Sequence, residues 1–311
     1  MTAPVPPPAD LVVPASAAGA RLDAWLAAEL HLPRGQVAGL ASAGAVLLDG
    51  RPAAKSARLR PGQRVTVGEP PPPPAAAPPP PPAVVWEDEH MLVIDKPPGL
   101  VVHPAPGHRG TTLVELLARE RPGGAEPRAV HRLDRDTSGL MLVAKGEQVQ
   151  RQLQAALRRR EVEREYVALV AGRLESRTGT IDAPIGRDPR RRTRMSTTTE
   201  VPREARTHFE VERAVDGFTL VRARLETGRT HQIRAHFAAI GHPLAGDREY
   251  GGPALPGLGR QFLHSARLAL ELPWSGERRE WRSELPRDLR SVLAARGSGA
   301  RGAARPSFGP G

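Results

Sequence analysis

The chain has 311 residues, enough for one large and one small domain, with 39% hydrophobic residues to fill their cores and a formal charge of +11. It contains no cysteine, which excludes disulfides, thiolate metal sites and cysteine nucleophiles, and no apolar run is long enough to cross a bilayer. The charge is shared, at +3 over residues 1–68, −1 over 69–83, +6 over 84–295 and +3 over 296–311, so a basic surface suited to a polyanionic partner is expected across the folded parts. Arginine outnumbers lysine 42 to 3, but Arg, Ala, Pro and Gly all have GC-rich codons, so arginine frequency alone carries no argument about phosphate recognition.

Residues 1–18 and 296–311 are rich in Pro, Gly, Ala and Ser and are expected to be disordered tails. The first tail has neither a basic start nor a long apolar core, so it is not a secretory signal and a cytoplasmic protein is expected. Residues 19–68 read as a compact module. Leu22, Trp25, Leu26 and Leu30 recur at helical spacing. Pro33 opens a second helix carrying Val37 and Leu40, and Gly44 stops it. Ala45 to Leu48, the Asp49-Gly50 turn and Arg64 to Val67 predict short strands. Arg21-Leu22-Asp23, Gly44-x-Val46-x-x-Asp49-Gly50, Lys55 and Pro61-Gly62-Gln63 stand where the motifs of the S4 RNA-binding domain do, and the module resembles that family. The resemblance makes Arg21 and Arg34 candidates for RNA backbone, although Pro33-Arg34-Gly35 replaces the usual Ser-Arg-Ser. A linker follows over 69–83; Pro70 to Pro82 holds ten prolines and three alanines, which predicts an extended spacer.

Residues 84–295 alternate short strands with few helices. Val84 to Trp86 and Met91 to Ile94 predict a hairpin, and Thr111 to Arg119 and Gln148 to Arg160 have helical spacing. Val167 to Ala171, Phe209 to Val211, Phe218 to Leu225 and Phe262 to Leu272 read as strands. No βαβ rhythm with a Gly-rich phosphate loop occurs, so the expected class is α+β with a mixed, largely antiparallel sheet.

His131 to Lys145 opens on a segment dense in ionisable groups. It passes through Thr137, Ser138 and Gly139 into an apolar run, placing carboxylates on a loop anchored by buried structure. If that loop is extended, Arg132, Asp134 and Asp136 share one face. Spacing alone does not choose between the two aspartates, and a surface salt-bridge ladder is the commoner fate of such a string.

The stretch resembles the HRLD-x-x-TSG signature of the RluA family of pseudouridine synthases, enzymes that isomerise uridine in RNA. Arg164-Glu165-Tyr166 resembles the family's second motif, and Thr227 to His236 with Gly241-His242-Pro243-Leu244-Ala245-Gly246-Asp247 resembles TGRTHQIR-x-H…GHP-x-x-GD. The resemblance implies that Asp134 is the nucleophilic aspartate, that Tyr166 lies on the target base and can take its C5 proton, and that Arg234 orients Asp134. It also places His131, Arg132, Thr137, Arg229, His231, Gln232 and Leu263 at the substrate. Arg158 to Arg160 with Arg164, and Arg187, Arg190, Arg191, Arg192 and Arg194, are further candidates for RNA backbone.

The reaction redistributes one bond and oxidises nothing, so no cofactor is expected. His103, His131, His231, His236 and His242 lack any metal-ligand spacing, so no metal is expected either. The implied partner is ribosomal RNA, with a monomer as the simplest assembly and no membrane association. A non-catalytic RNA-binding factor on the same scaffold, or a sugar hydrolase using Asp134 and Asp136, are the alternatives; an intact Asp134, Tyr166 and Arg234 set argues against the first.

Overall fold

A computed structural model describes residues 9–42, 44–68, 81–104, 110–191 and 194–297. The expectations for the proline-rich stretch over 69–80, for residues 1–8 and for 298–311 lie outside the described residues, as does Arg192. The chain divides into two compact units, Met1–Ala77 and Pro78–Gly311.

The first unit packs two helices on a small antiparallel sheet. Its elements are β1 (Ala9–Val12), α1 (Leu22–Glu29), α2 (Arg34–Ser42), β2 (Val46–Leu48), β3 (Arg51–Pro52) and β4 (Arg64–Val67), with strand order β1-β4-β2-β3. Leu22, Trp25 and Leu26 of α1 and Val37 of α2 meet Val46, Val65 and Val67 in one core. Gly44, at φ +74°, ends the turn after α2, as its position predicts. Asp49 and Gly50, at φ +51° and +77°, form the two-residue hairpin turn that pairs Leu48 with Arg51. The expected disorder needs correction over residues 9–18. Ala9–Val12 pairs along β4, and Val13 and Ala17 are buried. Without β1 the hydrogen-bonding edge of β4 would stand open, and the flanking prolines mask the strand's short alternation.

The second unit is built on one ten-stranded sheet. In chain order it contains β5 (Ala83–Glu87), β6 (Met91–Lys96), α3 (Leu113–Glu120), β7 (Pro127–Ala129), β8 (Ser138–Lys145), α4 (Glu147–Arg158), β9 (Glu163–Ala171), β10 (Thr178–Asp182), β11 (Gly186–Arg187), β12 (Met195–Ser196), β13 (Arg206–Val215), β14 (Phe218–Leu225), α5 (Gln232–Ala239), β15 (Leu263–Glu271), β16 (Arg278–Arg282) and α6 (Arg287–Gly297). The sheet runs β10-β13-β14-β9-β15-β8-β6-β5, with β16 added to β15 and β7 to β8. Only β8 and β15 pair in parallel, so the sheet is mixed and largely antiparallel. β8 sits deep in it. Leu140, Leu142 and Ala144 enter the core on one face, and Met141 and Val143 enter the other, which is why its sequence is a continuous apolar run.

Gly139 permits the parallel contact on which the site depends. It pairs with Ser265 at φ +110°, and a Cβ there would lie 2.2 Å from the Ser265 carbonyl oxygen. Gly139→Ala is therefore expected to cost about 3 kcal/mol or more, measured as a lower urea midpoint with an unchanged slope.

Candidate active site

Asp134 lies on the loop between β7 and β8. The Thr137 amide donates to the Asp134 carbonyl at 3.1 Å, so the loop turns over residues 134–137 and does not carry the extended alternation through to Asp136. This turn separates the two aspartates. Asp136 is gripped by Arg135 at 2.9 Å on the surface, whereas the Asp134 side chain is only 15% exposed and faces a cleft. The salt-bridge ladder is thus real for Asp136 and absent for Asp134.

Buried cations fasten the loop. Lys96 Nζ donates to the carbonyls of Pro97, Leu100 and Arg135 at 2.9, 3.0 and 2.9 Å. Arg260 donates to the Asp136 carbonyl at 2.9 Å and is itself held by Asp288 at 2.7 Å. Thr137 is buried, and its hydroxyl accepts from Gln261 Nε2 at 3.2 Å.

Arg234 comes from α5, whose first six residues, Gln232 to Phe237, are all buried. Arg234 is therefore an interior residue, not a surface arginine on an amphipathic helix. Its Nε and Nη2 fork onto Asp247 at 2.6 and 2.8 Å, Nη2 also reaches Glu249 at 2.8 Å, and Nη1 reaches Asp134 Oδ2 at 3.3 Å. Burial alone would push this guanidinium down, but the Asp247 hydrogen bonds and the charges of Asp134, Asp247 and Glu249 raise it overall. His231, at φ +53°, starts the helix; its Nε2 is 3.9 Å from Asp134 Oδ1 and its Nδ1 is 3.0 Å from the Tyr250 hydroxyl.

Asp134, Arg234 and His231 form a wall shared by two clefts. One, of about 430 Å³, is also lined by Tyr166, Leu263, Arg132, Thr137, Arg164 and Arg229. The other, of about 380 Å³, runs past Val102, His103 and Gln261. Tyr166 of β9 and Leu263 of β15 are neighbours in one core cluster, because Ser265 pairs with Tyr166 and Leu263 with Ala168. Burial pushes the Tyr166 phenol up, against the opposing charge of Arg164. A cleft lined by a carboxylate clamped by an arginine and by an aromatic platform with an apolar neighbour can hold a flat base while the carboxylate works on its sugar.

A family profile described as RNA pseudouridylate synthase matches residues 90–239, and one described as S4 domain matches 20–65. A Chloroflexus aurantiacus protein named an uncharacterized RNA pseudouridine synthase is 46% identical over 91% of this chain and 92% of its own length. The chain belongs to the RNA pseudouridine synthase family. Ribosomal large subunit pseudouridine synthase D of Nitrosomonas europaea is 42% identical, covering 92% of this chain and 87% of that protein. Among solved structures, human RNA Pseudouridylate Synthase Domain Containing 1 superposes with a TM-score of 0.55 at 26% identity, covering 72% of this chain and 96% of that one.

Several residues expected at the substrate or the RNA backbone also hold the scaffold. Both ends of the Gln232 amide are engaged: Oε1 accepts from the Thr227 hydroxyl and the Arg229 amide, and Nε2 donates to the Arg206 carbonyl and the Thr207 hydroxyl, all within 2.8–3.1 Å. His131 Nε2 accepts from the Leu142 amide at 3.2 Å, tying its ring to β8. Of the expected backbone contacts, Arg21 and Arg34 both pair with Asp23. Arg159 pairs with Glu161, and Arg160 with Glu204 and Glu226. The amides of Arg190 and Arg191 close a turn on Asp188. Sequence reasoning assigned no role to Lys96, Asp247, Glu249, Tyr250 or Arg260. Asp247 closes the third motif, eight residues beyond α5, and that place was the available signal.

The buried histidines set an acid limit. Burial, helped by the nearby Arg164 charge, pushes His131 down from 6.5 to about 3, and burial also lowers His231, His236 and His264. Between these values the unfolded chain binds a proton that the folded one refuses. The stability is therefore complete above pH 6.5 and is lost as the pH falls towards 3. His131 alone is expected to cost about 2 kcal/mol between pH 7 and pH 5. Urea unfolding of His131→Gln at the two pH values should show a difference smaller by that amount; an unchanged difference would contradict the assignment.

Proposed function

We propose that this enzyme isomerises uridines of large-subunit ribosomal RNA to pseudouridine, acting as a cytoplasmic monomer without metal or redox cofactor. The single observation that carries the reading is the Asp134 carboxylate, held 3.3 Å from Arg234 in a cleft that Tyr166 also lines. Relatives named for the large ribosomal subunit, 42% and 43% identical, support the choice of RNA.

The target nucleotide leaves its stack and its base enters the larger cleft against Tyr166 and Leu263. Asp134 engages the ribose at C1′ or C2′, and the N1–C1′ bond breaks with its electron pair leaving on the base. The base then turns, and C5 bonds to C1′ as the Asp134–C1′ bond breaks or, from a C1′–C2′ double bond, as C2′ takes its proton back from Asp134. The freed carboxylate then accepts the C5 proton. Tyr166, whose phenol burial pushes up, is the platform that holds the base as it turns. Arg132 and Arg229 on the rim, with Arg187, Arg190, Arg191, Arg21 and Arg34, take the RNA backbone.

Incubation with unmodified large-subunit ribosomal RNA, followed by carbodiimide mapping, should reveal pseudouridine at discrete positions with no uracil released. Release of free uracil would instead indicate a hydrolase.

A further inference from the structure

We propose that Arg164 binds the carbonyl edge of the extruded uracil and holds the negative charge that the base carries while detached from its ribose. This deepens the reading above and rests on it.

Arg164 is an unusual cation. It is 5% exposed, yet among the described residues its side chain has no carboxylate and no hydrogen-bond partner, and its buried Nε is unsatisfied. The other buried arginines are neutralised, Arg234 by Asp247 and Glu249 and Arg260 by Asp288. An unpaired buried guanidinium is strongly destabilising unless a partner arrives. Desolvation accordingly lowers its pKa.

Its position indicates which partner. Arg164 and Tyr166 are two apart on β9, so they point to the same face about 7 Å apart along the strand, and both line the cleft that holds Asp134. Gly228 makes the seat. Its φ is not in the left-handed range, so the backbone does not require glycine there, but a Cβ would lie 2.5 Å from Arg164 Nη1. Space for the guanidinium is thus written into the third motif.

A phosphate is the competing partner, and depth argues against it. The rim already carries Arg132 and Arg229, whereas Arg164 lies on the floor beside the aromatic platform, where the base goes. When the N1–C1′ bond breaks, its electron pair stays on the uracil and spreads over N1, O2 and O4. C1′ is satisfied by a bond from Asp134 or, after loss of the C2′ proton to Asp134, by a C1′–C2′ double bond. A planar guanidinium with free N–H groups in a water-poor site is well suited to the resulting anion.

The test uses the full-length protein, a short RNA carrying one target uridine, and single-turnover rates at saturating enzyme. Arg164→Gln should slow isomerisation about 100- to 1,000-fold while the RNA Kd moves less than about threefold and its salt dependence is unchanged. Arg164→Lys should recover part of the rate. Gly228→Ala, which keeps the arginine but fills its seat, should reproduce the defect. Thiouridine substrates decide the contact: sulfur at either O2 or O4 should slow the wild type, and should add no further loss in Arg164→Gln. A weaker Kd with a shallower salt slope and a normal saturated rate would mean a phosphate contact and overturn the proposal. Fully additive effects of both sulfurs would also overturn it. If Arg164→Gln does not fold, the same comparison in Arg164→Lys decides. Wild-type turnover, measured alongside, separates this outcome from failure of the functional reading: an RNA that is not isomerised at all refutes the latter alone.

Discussion

Asp134→Asn is expected to reduce the saturated rate of pseudouridine formation about 10⁴-fold or more, while RNA affinity changes less than about threefold. The reasoning is geometric. Asparagine has the same shape and can still offer its Oδ1 to Arg234 Nη1, so the loop and cleft should keep their form. Arg234 does not depend on Asp134 for neutralisation, because Asp247 and Glu249 hold it at 2.6–2.8 Å. The loop itself is fastened by Lys96 and Arg260 through main-chain carbonyls, not through the carboxylate. Melting temperature should therefore move by only a degree or two, and binding should persist. What the amide cannot do is take a bond from ribose or remove a proton from it. Substantial turnover in this variant would remove Asp134 from the chemistry. A large fall in stability would mean that the carboxylate supports the fold. Asp136→Asn gives the contrast, since its carboxylate pairs with Arg135 on the surface, and it should retain near-normal rates.

Legibility in the sequence followed burial. β8 and β14 were readable because they pass through apolar cores; Phe218 to Leu225 matches its observed bounds. β10 and β16 were not, because Thr178–Asp182 and Arg278–Arg282 each bury one residue and otherwise face outward with polar side chains. The terminal helix α6 did carry a signal, in Leu289, Val292 and Leu293 at helical spacing, all of them buried. The site was legible to the extent that motifs mark residues which touch chemistry. Residues that act through others were invisible: Lys96, Arg260 and Asp247 are far from Asp134 in sequence, and only the fold brings them to its loop or to its arginine. Gln232 shows the converse. It stands inside a motif, yet its amide is spent on holding the turn before α5.

The Arg234 cluster predicts the largest loss of stability. Asp247 is 1% exposed and its two oxygens take the guanidinium fork, so Arg234→Met would leave a buried carboxylate with only the Tyr250 amide at 3.2 Å. Removing one partner of such a pair costs about 3–5 kcal/mol. Glu249 is half-exposed and can turn to solvent or to His231, so it should add little to the loss. Arg234→Lys should regain part of the stability, because an ammonium can satisfy Asp247, but one compact charge cannot fork onto Asp247 and still reach Asp134. Its activity should therefore stay low even where its melting temperature recovers. The double variant Arg234→Met with Asp247→Leu separates the two contributions. Replacing both members with apolar groups removes the stranded charge and should recover about 2 kcal/mol relative to Arg234→Met alone, with turnover still absent. Denaturant midpoints of the three variants measure this directly. Equal stability of Arg234→Met and wild type would show that Asp247 finds another partner, and the cluster would then matter for orientation alone.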